Sequence, residues 1–212
     1  ADYPRPAAGK ARQRQVPDRQ QGDKEAMQLV VRCDSVDGVV AAADQGADVI
    51  IFGGESYHHH PFGTKAWQAA VQAAHEQGAT LWAGTPRIVR EENRLVVQNE
   101  LERAITAGVD GIYAGAMAVF AMIADLNITV PVRADWSLNI FNSQAARTYA
   151  SWGCTAITAS VEATLRQLKE MVRQSSCPIE AVVQGRAEMM VTESCVISSF
   201  AGKGQMKGCP GV

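Results

Sequence analysis

The chain has 212 residues, of which 47% are apolar and 20% charged, with 20 basic residues against 22 acidic ones. That is enough for one domain with its own core, in a composition that excludes a disordered or fibrous chain and a charge balance that excludes a highly basic nucleic-acid binder, though not a local basic patch. Five irregularly spaced cysteines exclude a disulfide scaffold and favour a reducing, cytoplasmic setting.

Residues 1–26 are rich in Pro, Gln, Arg and Lys and almost free of bulky apolar side chains. That is the composition of a flexible linker, and it suggests another domain of the same polypeptide upstream. The segment has no apolar core of the kind a signal peptide carries. The domain itself is expected over 27–212. Short runs rich in Val and Ile predict strands at 29–32, 48–52, 80–83, 111–114, 130–133, 155–158 and 179–183. Between them, amphipathic stretches predict helices at 35–45, 64–76, 96–107, 117–126, 143–152 and 161–173. The most apolar stretch, 111–132, is interrupted by Asp125, Asn127 and Pro131. It reads as a strand and a buried helix, not as a membrane span.

Four phrases, Gly46–Val49, Gly78–Leu81, Gly108–Gly111 and Gly153–Ala156, each stop a helix at glycine and open the next strand. Alternation of this kind predicts an α/β fold with a parallel sheet. The repeat fits a TIM-like (β/α) barrel, incomplete at about seven visible βα units, better than a doubly wound sheet. No Gly-x-Gly-x-x-Gly follows the first strand.

In such a barrel, chemistry collects at the C-terminal ends of the strands. Those ends carry Arg32 and Asp34; Gly54, Glu55 and His58–His60; Thr85 and Arg87; Tyr113; Arg133, Asp135, Ser137 and Asn139; Ser160 and Glu162; Gln184, Arg186 and Glu188. Asp34 and Glu162 read equally well as acids placed at helix starts. Arg133 and Asp135 are two residues apart on one strand and so share a face. They form either an internal ion pair or an arginine grip for a carboxylate or phosphate, oriented by the aspartate. Arg87, after Pro86, is a candidate for a second anion clamp. The candidate substrate-binding set is Arg87, Arg133, Asp135, Asn139, Arg186 and Glu188.

His58–His60 are consecutive and cannot easily share one metal, so they read as a polar loop tip. No Gly-x-Ser-x-Gly elbow, Walker A loop or His-Glu-x-x-His is present. Cys33 and Cys154 are expected to be small buried hydrophobes, and Cys177, before Pro178, to lie in a turn. Cys195 and Cys209 bracket a glycine-rich loop and supply at most half of a zinc or iron–sulfur ligand set, with Glu188 in reach as a carboxylate ligand.

The end of the chain resembles the peptidase U32 family, also called collagenase-like proteases. Glu180 at a strand start, Gly185, and Cys195–Ser198 follow its signature. Gly46–Asp48 with Phe52–Glu55 is similar to its early turn. Ala134–Asn139 with Phe141 and Asn142 resembles its mid-barrel segment, and Ser160–Glu162 its helix opening. Met190–Cys195 looks closest to a subgroup carrying an extra domain of unknown function, in which a second U32-like barrel follows a long N-terminal half. The resemblance implies a TIM-like barrel within a larger protein that hydroxylates an RNA base or an aromatic ring without oxygen. It also implies a 4Fe–4S cluster in the full-length protein, with Cys195 and Cys209 matching the second and third ligands. Glu188 stands where relatives have the first cysteine, and the fourth would fall beyond Val212, so this chain is expected to hold a partial site. Two other readings remain: a collagenase-like endopeptidase, and a non-catalytic barrel that recruits substrate.

Overall fold

Parallel strands cannot be joined by a tight turn, so each must be followed by a crossover, here usually a helix. The computed structural model, which describes residues 27–54 and 61–185, follows that rule throughout. The strands are β1 (Val30–Cys33), β2 (Val49–Gly53), β3 (Thr80–Gly84), β4 (Gly111–Ala114), β5 (Val132–Ala134), β6 (Cys154–Thr158) and β7 (Ile179–Glu180). The helices are α1 (Val36–Asp44), α2 (Thr64–Glu76), α3 (Glu91–Ala107), α4 (Met117–Asp125), α5 (Ser143–Ser151) and α6 (Leu165–Gln174). The sheet order is β1-β2-β3-β4-β5-β6-β7, with every neighbour parallel. Among the described residues this is the incomplete α/β barrel that the repeat predicts, seven parallel strands with alternating helices. The chain divides into two compact units, Ala1–Ala181 and Val182–Val212, and the elements named here belong to the first. Among the described residues, no helix is long and apolar enough to cross a membrane.

The runs Val49–Phe52 and Gly111–Ala114 are buried along their whole length because the sheet is covered on both faces. Alternate residues take opposite sides. Ile50, Phe52, Leu81, Ala83, Ile112 and Ala114 pack outward with Val39, Trp67, Ala70, Leu101 and Val119 of the helices. Ala134, Ile157 and Ala159 do the same with Ile140, Ala146 and Met171. Val49, Ile51, Trp82 and Tyr113, with Val30, form a separate cluster on the inner face.

The glycine phrases have a second role at the N-terminal end of the sheet. In two of them an aspartate precedes the strand and accepts a backbone bond from the neighbouring one. Asp48 Oδ2 accepts from the Leu29 N–H at 2.7 Å. Asp110 Oδ2 accepts from the Leu81 N–H at 2.8 Å and lies 2.8 Å from His75 Nε2. These two amides, just before β1 and at the second residue of β3, thus find side-chain partners at the N-terminal end of the sheet.

Several boundaries move from the expected ones for local reasons. Helix α3 starts at Glu91, not near 96. Asn93 Oδ1 accepts from the Arg90 N–H at 2.7 Å, and Glu91 and Glu92 suit the positive end of the helix. Helix α6 starts at Leu165 rather than 161, because Thr164 and Gln167 form a capping box there. Strand β5 starts after Pro131, which has no N–H to give the ladder. Strand β7 ends at Glu180, and residues 181–185 are exposed and outside any strand.

Candidate functional site

The inner face turns polar toward the C-terminal ends of the strands, and each polar side chain there is placed by strand alternation. Glu180 on β7 is the centre of one network. Its carboxylate accepts from the Tyr113 hydroxyl at 2.9 and 3.1 Å, from Arg133 Nη1 at 2.8 Å and from the Thr158 hydroxyl at 2.7 Å. Arg133 Nη1 also donates to the Tyr113 oxygen at 3.0 Å. Strands β4, β5, β6 and β7 are therefore tied through one carboxylate. Both charged side chains are largely buried, at 13% and 15% exposure for Arg133 and Glu180.

The Arg133 guanidinium lies over the Trp82 ring, 4.2 Å from its centroid, and within 5.8 Å of the Tyr113 centroid. A desolvated cation over an aromatic face is favourable. Gly111 makes room for that indole. A Cβ at this position would lie 2.3 Å from Trp82 Cζ3 and 2.7 Å from the Pro131 carbonyl oxygen. Burial, and then the negative charge of Glu180, hold the Tyr113 hydroxyl far above the ordinary tyrosine range. It stays a phenol and donates. Glu180 already accepts four contacts and so orients its neighbours.

A second layer lies at the strand ends. Arg32, from β1, donates to Asp135 Oδ2 at 2.6 Å. Asp135 is buried, and its other oxygen accepts from the Trp136 N–H at 2.9 Å. Residues Trp136–Leu138 then form one turn of 3-10 helix. The Arg87 guanidinium covers the Trp136 ring at 4.5 Å from its centroid. Thr85 and Ser137 stitch the same rim. Thr85 Oγ1 donates to the Tyr113 carbonyl at 3.0 Å and accepts from the Gly115 N–H at 2.8 Å, while Ser137 Oγ donates to the Gly115 carbonyl at 2.8 Å.

Of the expected substrate-binding residues, Arg87, Arg133 and Asp135 are brought to this end of the sheet. Arg133 and Asp135 do share the inner face, yet they do not pair with each other. The curled sheet presents Glu180 to one and Arg32 to the other. Asn139 ends the 3-10 turn, exposed and with a positive φ of 54°, and its N–H bonds to the Trp136 carbonyl. Arg186, Glu188, Cys195 and Cys209, with Glu55 and His58–His60, lie outside the described residues. The helix-start readings of two acids are corrected. Ser35, not Asp34, caps α1, accepting from the Gly38 N–H at 3.1 Å. Glu162 lies in the turn before α6, not within the helix.

Trp82 and Thr158 complete the network without being among the expected site residues, as does Glu180, which the sequence offered only as the acidic opening of the family signature. The available signal was their parity: each stands two residues along a strand from another inner-face position, or beside an outward-facing apolar one. Among the described residues, no group of three or more His, Cys, Asp or Glu is placed to hold a metal ion. Cys33 and Cys154 belong to the helix-facing cores. Burial, helped by Asp34 and by Cys177 respectively, pushes each thiol up to about 11. Cys33 and Cys154 are thus placed as core side chains, not at the rim where the polar residues collect. A larger recess of about 460 Å3, lined by Phe120, Ile123, Ile128, Val132 and Trp152, opens beside the start of β5. It contains no titratable group, and the chemistry-bearing residues are at the other end of the strands.

The family model described as peptidase family U32 matches residues 34–209. No curated protein matches the sequence. Among solved structures, the U32 peptidase Mk0906 is similar at a TM-score of 0.58 and 13% identity, over 77% of this chain and 71% of that one. The putative copper homeostasis protein CutC from Streptococcus agalactiae has the same TM-score at 12% identity, over 73% and 86%. FabK from Thermotoga maritima gives 0.52 at 14% identity, over 73% and 50%. At such identities these likenesses concern the fold.

Proposed function

The chain belongs to peptidase family U32, and from that premise we propose that it is the substrate-binding barrel of a larger enzyme that hydroxylates an RNA base or an aromatic ring without dioxygen. The observation that carries this reading is the Arg87–Trp136 stack beside the Arg32–Asp135 pair, at the strand ends where barrels bind their substrates. An aromatic face next to a guanidinium plane suits a flat ring, whether a nucleobase or a phenol. Arg133, held over Trp82 and paired with Glu180, stiffens the same inner face.

Replacing a ring hydrogen by a hydroxyl from water oxidises the ring by two electrons and releases two protons, so the proposal requires a two-electron organic acceptor bound elsewhere in the larger enzyme. In this proposal the described side chains place the ring and shape the field around it, and they carry no electrons. An iron–sulfur cluster in the full-length protein would take Cys195 and Cys209 from this chain and its other ligands from elsewhere. Arg186 and Glu188 belong to the same proposal, as does a cytoplasmic location.

The test is nucleoside and small-metabolite mass spectrometry on cells lacking the protein, restored with wild type, Trp136→Ala or Cys195→Ser. The expected result is a nucleoside or ring compound one oxygen heavier that only wild type restores. Iron and sulfide assays on anaerobically purified full-length protein accompany it. If no such compound responds and the purified protein cleaves gelatin, the endopeptidase reading replaces this one. If it does neither, the barrel is a recruiting module.

A further inference from the structure

Behind the wall that carries Arg87, a cavity of about 10 Å3 opens between α2, β3 and α3. Its lining mixes apolar side chains, Val97 and Leu101 among them, with Trp67, Thr85 and Glu100. Trp67 is 1% exposed, held edge-on against the rings of Phe52 and Phe62 at 4.9 and 6.2 Å. Its indole Nε1 is buried and has no hydrogen-bond partner among the described residues. A buried donor left in that state is rare in folded proteins, because its lost hydration must be replaced.

The possible acceptors on the cavity wall differ. Thr85 Oγ1 already donates to the Tyr113 carbonyl and accepts from the Gly115 N–H, which leaves it one lone pair. Glu100 has capacity: Oε1 accepts one backbone bond, from the Phe62 N–H at 3.2 Å, and a carboxylate can accept about four. Burial pushes the Glu100 carboxyl above the ordinary glutamate value, with the Phe62 N–H and the nearby Arg103 acting against it. A cavity of this size is about what one water molecule needs, provided two or more polar groups line it.

We propose that the cavity holds a single ordered water, which accepts from the Trp67 indole N–H and donates to the Glu100 carboxylate. The water joins α2 to α3 directly behind Gly84–Pro86, the segment that delivers Arg87 to the rim. Glu100 then holds the entry to α2 at two points, at Phe62 by a direct bond from the backbone N–H and at Trp67 through the water. The site is independent of the hydroxylation reading: it would persist if the family role proved to be peptidase or recruitment.

The test uses the full chain, with water-to-indole cross-relaxation measured by NMR and the cavity inspected in a high-resolution crystal map. Trp67→Phe identifies the Trp67 indole resonance among the four tryptophans. The expected result is a cross-peak between the Trp67 Nε1 proton and a long-lived water, with density for one oxygen within hydrogen-bond distance of Nε1 and Glu100. Glu100→Gln should keep the cross-peak, and Glu100→Leu should lose it. A dry cavity with no cross-peak in wild type overturns the proposal. A cross-peak unchanged in Glu100→Leu overturns the role of Glu100. If Glu100→Leu fails to fold, the wild-type map and Glu100→Gln still decide.

Discussion

Arg32 and Asp135 meet at 2.6 Å although β2, β3 and β4 separate their strands in the sheet. Such a contact is possible only because the sheet curls until its first strand faces the end of its fifth. The pair is therefore a tie across the interior.

Removing the cation should cost more than neutralising the anion. Arg32→Met leaves the Asp135 carboxylate, 4% exposed, without its partner. Asp135→Asn keeps an oxygen for the Trp136 N–H. We expect Arg32→Met to lose about 1.5 kcal/mol, the low end for a charged hydrogen bond because Arg32 is 36% exposed. Asp135→Asn should lose less. Urea unfolding measures both, and equal losses would mean that the pair is not the tie.

Tyr113→Phe should remove the hydroxyl shared by Arg133 and Glu180, at a cost of about 1–3 kcal/mol at neutral pH. The pH dependence has a definite sign. Below the ordinary tyrosine value of 10.0 the hydroxyl is protonated in both states, and its contribution is constant. Above that value the unfolded chain releases the proton while the folded chain, with its raised pKa, keeps it. Stability then falls as pH rises. Stability curves taken above pH 10 should be steeper for wild type than for Tyr113→Phe, and parallel curves would refute the raised value.

Gly111→Ala should be destabilising out of proportion to one methyl group. The new Cβ meets the Trp82 ring and the Pro131 carbonyl well inside contact distance. Overpacking of this kind costs about 1–3 kcal/mol. The tryptophan signal in near-ultraviolet circular dichroism should change with it, since Trp82 must shift. A variant with wild-type stability and spectrum would show that the ring has room.

Cys33 and Cys154 should resist alkylation in the native protein. With thiols near 11, about one in a thousand is ionised at pH 8, and both are buried. Iodoacetamide labelling followed by peptide mapping should leave both unmodified over a time that fully labels the unfolded chain. Prompt native labelling of either would contradict the burial.

The sheet was legible because its cause is local. Val49–Phe52 and Gly111–Ala114 announce buried strands, and Gly46, Gly78, Gly108 and Gly153 mark where the connecting stretches turn back. The rim residues were legible one by one, since barrel strands end where chemistry collects. Their pairing was not. Arg133 and Asp135 sit two apart and look like partners, but which carboxylate meets which guanidinium depends on how far the sheet curls, and no window of sequence contains both Arg32 and Asp135. Two helix starts, those of α3 and α6, moved for a smaller reason: the Arg90–Asn93 and Thr164–Gln167 caps outweigh apolar periodicity there.

The Glu180 network has a consequence for how the chain is made. Synthesis runs from the N-terminus, so Tyr113, Arg133 and Thr158 all leave the ribosome before the carboxylate that satisfies them. Until residue 180 emerges, the interior contains a guanidinium with no counter-charge and two hydroxyls with no acceptor from β7. The barrel wall can assemble strand by strand, but its inside closes in a single late step, and a nascent chain stalled just short of Glu180 is the form a chaperone or protease would meet.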